Sequence, residues 1–338
     1  MRQANLDADG PLIVEFLRKN HSPDSTSERF DWLYRRSPAG PAKSWILVDS
    51  KTSMTMGVAA AFPRRFYAHG REACGWVLGD FCIERSFRSL GPAIQLQEAC
   101  LRQLQSESRS FFYDFPGPAM TAVYRRLNIP VTYQLVRLVK PLRVDGKIRN
   151  RIRQPQLAAA LTSVVNHGLS AFNNRRLSRY GNAPTSHKGP CNEEFTTLAR
   201  TFSSRLGICN RRSADYLNWR FYGHPYRSYE LITRHDPDHQ ELLGYAVLCQ
   251  DGNCLHVTDL FGYLEDLPDL LRAAIATAQE RGLELLAVSM LDSSPAKSMF
   301  RKLGFFSREK FPVVMHSSLA GCSEEDSGWF LTDGDRES

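Results

Sequence analysis

The stretch Asp80-Phe-Cys-Ile-Glu-Arg-Ser-Phe-Arg-Ser-Leu-Gly-Pro-Ala93 decides how this chain is read. Apolar residues up to Ile83 read as a strand and Glu84 to Ser89 as a short polar loop, while Ala93, Leu96, Cys100 and Leu104 recur at helical spacing. A strand-loop-helix joint presents unpaired backbone N–H groups at a helix N-terminus, where the dipole also favours an anion. Gly91 lets a ligand approach the main chain, Ala93 keeps a nearby position small, and Pro92 suits a first turn because its missing N–H would be unpaired anyway. Arg88 either orders the loop or touches phosphate. A diphosphate fits such a joint; an ordinary Gly-Pro turn with an exposed arginine uses the same residues.

Outward from that joint the chain repeats itself. Trp32, Tyr34 and Pro38 return as Trp219, Phe221 and Pro225 at an offset of 187, and Gly57 in MGVAAAF returns as Gly244 in LGYAVL at the same offset. Asp80 matches Asp259 at 179, and Tyr124-Arg-Arg-Leu-Asn-Ile129 matches Phe300-Arg-Lys-Leu-Gly-Phe305 at 176, so the second copy has shorter loops. Four landmarks in one order predict a structural duplication. In the first copy Asp9, Pro11, Ile13, Phe16 and Leu17 predict a capped helix, and β-rich runs fall at Trp45–Val48, Gly57–Phe62 and Trp76–Ile83. A helix, the run Phe111–Phe115, a Pro-Gly-Pro breaker and a short helix through Tyr124 follow. In the second copy Val247–Cys249 and Leu255–Val257 flank a hairpin signal, and Leu267, Leu271, Ala274 and Ala278 mark a helix with Asp266 as N-cap, Pro268 inside and Gly282 past its end.

Length and charge agree with a pair of units. The chain has 338 residues, 42% hydrophobic and 23% charged, which predicts real cores rather than disorder. We expect domains at 1–140 and 201–338 joined by a basic linker at 141–200 with one helix, from the apolar run 157–165. Between Lys140 and Arg179 nine bases face one acid, so this segment carries +8 of the net +7 and the remainder is −1. Basic character confined to a connector makes a nucleic-acid partner the less favoured reading. No run approaches the roughly 20 apolar residues of a membrane helix and no signal-like segment opens the sequence, so the expectation is a cytoplasmic protein without a transmembrane segment. Eight cysteines without a C-x-x-C are expected to be reduced. The acidic stretch from Glu324 to Glu337, with Trp-Phe-Leu-Thr-Asp-Gly-Asp, reads as a final strand or a loose tail.

Arg88-Ser-Leu-Gly91-Pro-Ala93, the strand Phe81-Cys-Ile83 before it and Tyr124-Arg-Arg-Leu127 after it resemble the GNAT superfamily of acyl-CoA-dependent N-acetyltransferases. In that family R/Q-x-x-G-x-G/A after the fourth strand binds the pyrophosphate of acetyl-CoA, and a Y-x-x-L-G-F-like helix start lies nearby. The resemblance implies an α/β (α+β) fold of two GNAT-like mixed β-sheets flanked by helices. It also implies acetyl-CoA as co-substrate, held by Phe81, Cys82, Ile83, Arg88, Ser89, Leu90, Gly91, Pro92 and Ala93. With Trp32-x-Tyr34 and the Asp-Phe-Pro-Gly run at 114–117, the set is similar to a tandem bacterial branch that often accompanies cell-envelope or polysaccharide genes. A small-molecule or glycan amine acceptor follows from that likeness. The first copy departs from the family at Asn128 and Ile129, and the second has Phe300 for the tyrosine and Phe261-Gly-Tyr-Leu-Glu-Asp-Leu-Pro268 for the phosphate loop. Acids there repel a diphosphate, so one competent cofactor site is expected, in the first copy.

Transfer of an acyl group to an amine needs a proton acceptor, a donor to the developing oxyanion and a proton for the departing thiolate. Tyr124 resembles the family's tyrosine that protonates the sulfur; a ring packed under the sheet is the other reading. Asp80 reads either as the base or as a structural acceptor at a strand kink, with Glu84 and Asp114 as weaker candidates for the base. Main-chain N–H groups along Phe81–Ile83 are the candidates to polarise the carbonyl, a role that leaves no side-chain signature. Metal chemistry is not expected: His235 and His239 are separated by Asp-Pro-Asp, which breaks the helix that would place both on one ion. Two competing functions remain, a Fem-like transferase that draws its acyl group from aminoacyl-tRNA, and a non-catalytic scaffold. The complete Arg88–Ala93 motif argues against the first, and Tyr124 beside it against the second.

Overall fold

The computed structural model describes residues 1–105, 111–145, 154, 156, 166, 184–238, 240–317 and 328–337. The run 157–165, most of the basic connector and His239 lie outside the described residues. The first half runs β1 (Arg2–Gln3), α1 (Gly10–Asn20), α2 (Ser27–Phe30), a π-turn over Asp31–Arg35, β2 (Lys43–Val48), β3 (Thr55–Ala68) and β4 (Arg71–Ile83). It continues through α3 (Leu90–Gln105), β5 (Phe111–Asp114), α4 (Pro118–Arg126) and β6 (Tyr133–Pro141). The second half repeats this series: β7 (Thr185–His187), α5 (Glu193–Ser203), β8 (Ile208–Asn210), α6 (Ala214–Leu217), a π-turn over Asn218–Tyr222, β9 (Glu230–His235), β10 (Leu242–Asp251) and β11 (Cys254–Gly262). Then come α7 (Leu267–Glu280), β12 (Leu285–Leu291), α8 (Lys297–Lys302), β13 (Phe306–Ser317) and β14 (Trp329–Phe330).

The two mixed sheets expected from the repeat are joined edge to edge into one sheet of fourteen strands: twelve in the order β1-β2-β3-β4-β5-β13-β6-β12-β11-β10-β9-β7, with β8 attached to β3 and β14 to β8. The join is an exchange. β6 of the first half lies against β12 of the second, and β13 of the second lies against β5 of the first, with β6 and β13 paired antiparallel at the centre. A pseudo-twofold axis therefore passes between β6 and β13. The two tryptophans of the repeat lie on the same symmetry: Trp32 and Trp219 stack with centroids 5.1 Å apart. Each indole N–H donates to the other's carbonyl oxygen, at 2.8 and 2.9 Å.

Burial follows from alternation along the strands. Trp45 and Leu47 of β2 and Ala59 and Ala61 of β3 face a core with Leu96, Cys100 and Leu104 of α3. Ile46, Val58, Ala60 and Phe62 point the other way, into a core shared by both halves with Trp32, Trp219, Phe195 and Tyr245. Strands buried on both faces read as unbroken apolar runs, which is why MGVAAAF shows no alternation in sequence. A third core packs α7 and α8 on β10, β11, β12 and β6 through Leu270, Leu271, Leu255 and Phe300. Gly57 permits the close seat of α3: a Cβ there would stand 2.6 Å from Ile83 Cδ1 and 3.1 Å from Leu96 Cδ2. Two expected caps differ in detail. Asp9 and Asp266 precede their helices without making a side-chain capping bond, because Asp9 is taken by Arg2 at 2.6 Å and Asp266 lies 3.7 Å from Arg234.

Candidate functional site

β4 and β5 run parallel for three rows only, Gly75 opposite Phe111, Trp76 opposite Phe112 and Val77 opposite Tyr113. β4 then continues to Ile83 while β5 stops at Asp114, and a crevice opens between them. At this point β4 carries a bulge: Gly79 pairs with Ala60 and Cys82 with Val58, so Asp80 and Phe81 together face Ala59. Asp80 sits there with φ +45°, a left-handed conformation that Asp tolerates better than most residues. A bulge interrupts the ladder and re-aims main-chain groups. Phe81 is half-buried, Cys82 and Ile83 are buried, and burial pushes the Cys82 thiol up to about 12, so it stays protonated.

Beyond Ile83 the phosphate-loop candidates lie together at the mouth of the crevice. Arg88 orders the loop: its Nε donates to the Ile83 carbonyl at 3.1 Å and its Nη2 to the Asn20 carbonyl at 3.0 Å. Ser89, Leu90 and Gly91 are exposed where α3 begins, Pro92 is half-buried and Ala93 buried beneath. Nothing lies within 4 Å of the place a Cβ on Gly91 would take. The first N–H groups of α3 have no partner within the helix. Glu84 is occupied locally, accepting from the Ser86 hydroxyl and amide, which hold its carboxyl down at about 2.

Tyr124 of α4 is fully buried. Its hydroxyl donates to Asp114 Oδ2 at 2.7 Å and accepts from Gln97 Nε2 of α3 at 3.1 Å. Burial, with the Asp114 charge adding to it, raises the phenol well above its ordinary value, so the proton stays on oxygen at neutral pH. Burial pushes the Asp114 carboxyl up to about 7; the Tyr124 bond opposes that shift and the charge of Glu337 reinforces it. The sequence brought Tyr124 and Asp114 forward separately; the structure makes them one hydrogen-bonded pair.

Asp80 is closed on itself by other partners. Arg29 grips both oxygens, at 2.7 and 2.8 Å, and the Tyr34 hydroxyl donates to Oδ2 at 2.8 Å. Burial alone would raise this carboxyl, but Arg29 and Tyr34 outweigh it and the net shift is downward. A carboxylate held ionised in a bidentate fork is a poor proton acceptor. Arg29 and Tyr34 carry no motif of their own. The repeat pointed to the tyrosine only as an aromatic landmark.

The residue that sequence reasoning missed is Glu337. The strap 328–337 crosses from the second half into the first: β14 pairs with β8, Asp335 accepts from Tyr113 through its main-chain oxygen at 2.8 Å, and Glu337 lies over Gly79. A Cβ on Gly79 would stand 2.5 Å from Glu337 Cγ. Glu337 Oε2 is buried and makes no hydrogen bond among the described residues. Burial raises its carboxyl, and the nearby Asp80 charge raises it further. Gly79, a glycine inside a strand, was the one sequence signal of this close approach.

The corresponding crevice of the second half holds the strap in place. Arg212 bonds Asp259 at 3.0 Å and Asp335 at 2.7 Å, all three nearly inaccessible, while the Tyr245 and Thr332 hydroxyls donate to Asp259 at 3.0 and 2.8 Å. Asp259 is thus the counterpart of Asp80 in an arginine-tyrosine cage. The loop Phe261–Pro268 carries Glu265 and Asp266 where the first half has Arg88 and Gly91. Among the described residues no group of three or more His, Cys, Asp or Glu is placed to hold a metal, and no helix is long and apolar enough to cross a membrane.

No family model matches the sequence, and no curated protein matches it. Solved structures do match by fold. The chain is similar to a GCN5-related N-acetyltransferase from Anabaena variabilis with a TM-score of 0.65 at 11% identity, over 93% of this chain and 72% of that one. It is similar to a conserved protein from Enterococcus faecalis described as a probable N-acyltransferase, with a TM-score of 0.62 at 9% identity, over 93% and 72%. It is also similar to the N-myristoyltransferase of Saccharomyces cerevisiae with bound myristoyl-CoA, with a TM-score of 0.56 at 12% identity, over 93% and 82%. At these identities the likeness is one of fold: a large mixed sheet flanked by helices, of the kind the GNAT resemblance implied.

Proposed function

We propose that this protein is an acyl-CoA-dependent N-acyltransferase that moves an acyl group, acetyl in the first instance, from coenzyme A to an amine acceptor. The observation that carries the reading is the crevice where β4 leaves β5, with an exposed helix N-terminus at its mouth and a free carboxylate oxygen over its bulge. Acceptor amines of the small-molecule or glycan class belong to this proposal, as does a site confined to the first half.

The geometry supports the following roles. The amides at the start of α3 take the diphosphate, with Arg88 holding the loop in shape and Gly91 leaving it open. Main-chain N–H groups around the bulge, along Phe81–Ile83, face the thioester carbonyl as it becomes an oxyanion. The attacking nitrogen loses its proton to Glu337 rather than to Asp80, because Asp80 has no free oxygen and Glu337 has one. Tyr124 gives its proton to the departing sulfur and recovers one through Asp114, whose carboxyl burial raises to about 7.

Calorimetric titration with acetyl-CoA tests the first step. Gly91→Glu puts a carboxylate into open space at a helix N-terminus, so folding is unharmed while like charge meets the diphosphate. Affinity is expected to fall by a hundredfold or more, with Leu264→Ala, at an exposed site in the second half, as the unchanged control. Wild-type protein that binds neither acetyl-CoA nor myristoyl-CoA at millimolar concentration removes the proposal. Tyr124→Phe keeps the ring and loses the donor, so turnover should drop by roughly 10²-fold or more with acetyl-CoA affinity within threefold. Equal turnover in the two proteins would take the acid role away from Tyr124.

A further inference from the structure

The second half has a crevice of its own. β11 and β12 run parallel from Cys254 opposite Leu285 to Val257 opposite Val288 and then part. Between the parted ends, the first turn of α7 and the strap lies a cavity of about 430 Å³. That volume falls in the roughly 300–1,000 Å³ class of small-molecule sites. Its walls are hydrocarbon: Leu260, Leu267, Val288, Met290 and Leu291, with Phe202 across from them. Trp329, Phe330 and Leu331 of the strap form the remaining side. Charge is confined to the exposed Arg205 and Glu265.

The contrast between the two crevices identifies the ligand class. In the first half the corresponding space faces an open glycine turn fit for phosphate; in the second, Glu265, Asp266 and Asp269 stand at the start of α7. Asp266 and Asp269 are themselves paired with Arg234 and Arg272, so this turn offers a phosphate less than the glycine turn of the first half does, whereas an apolar ligand gains about 0.8 kcal/mol for each methylene it buries. A void of this size in a packed interior forfeits contacts that a hydrocarbon restores. We propose that the second-half cavity is a binding site for a single aliphatic chain of medium length, the hydrocarbon part of a small amphiphile without phosphate. The site is independent of the acyl-transfer reading in its chemistry and joined to it by one element: the strap that walls the cavity carries Glu337 five residues beyond Thr332.

The test is titration of the full chain with 1-decanol, followed by the emission of Trp329 against a Trp329→Phe background and by calorimetry. Decylamine and decanoate serve as parallel arms for the head group. Saturable binding is expected, weakened at least tenfold in both Ala296→Phe and Ser294→Trp, which fill the cavity from its loop side. Two filling variants guard against one that fails to fold. Acetyl-CoA affinity, measured on the same preparations, should be unchanged in both variants. Binding of decanol without binding of any CoA thioester would leave this site standing and remove the acyl-transfer reading. No saturable binding of any of the three probes, or equal binding by wild type and both filled variants, overturns the proposal.

Discussion

Arg212→Met should cost the protein about 3–5 kcal/mol of unfolding free energy, because it leaves two carboxylates buried without their cation. Asp259 and Asp335 both depend on that guanidinium, and the hydroxyls of Thr332 and Tyr245 that remain cannot offset a full charge. Urea denaturation at pH 7 measures it, and a loss below about 1 kcal/mol would show that the network is dispensable. Since Asp335 also holds the strap, the variant that survives folding is expected to lose turnover more than acetyl-CoA affinity.

Glu337→Gln is expected to lower turnover by roughly 10²–10⁴-fold while acetyl-CoA affinity stays within threefold. Glutamine keeps the volume that covers Gly79 and removes only the capacity to take a proton. The readout separating chemistry from structure is the pH profile: wild type should show an acidic limb, from a carboxyl raised by burial and by Asp80, that the variant lacks. Unfolding free energy should change little, or rise slightly, as a buried charge becomes a neutral amide. A variant with full turnover and the same acidic limb would return the proton to another acceptor.

Much of this arrangement was legible in the residues. The offset of 187 between Trp32 and Trp219 marks two halves related by an axis, and those tryptophans prove to meet on it. The loop from Arg88 to Ala93 was readable because its signals are local: a strand, a glycine, a proline and a helix face in immediate succession. What escaped is non-local. β6 and β13 carry patterns that would suit either half, and nothing in their residues says that each pairs across the axis. Glu337 escaped because its meaning comes from Gly79, far away in the chain, and an acidic stretch near solvent is ordinarily just that. Asp80 was visible, but the partner that favours its structural reading, Arg29, has a place next to it that no spacing announces.

The exchange of β6 and β13 has a consequence for synthesis on the ribosome. When residues 1–141 have emerged, β5 still lacks the neighbour that only 306–317 can supply, and β6 lacks both of its own. At roughly 5–20 residues per second, that open edge persists for about 10–40 s while the rest of the chain is translated. Bare strand edges template association between chains. Either half expressed alone is therefore expected to aggregate, which sedimentation of the lysate would check.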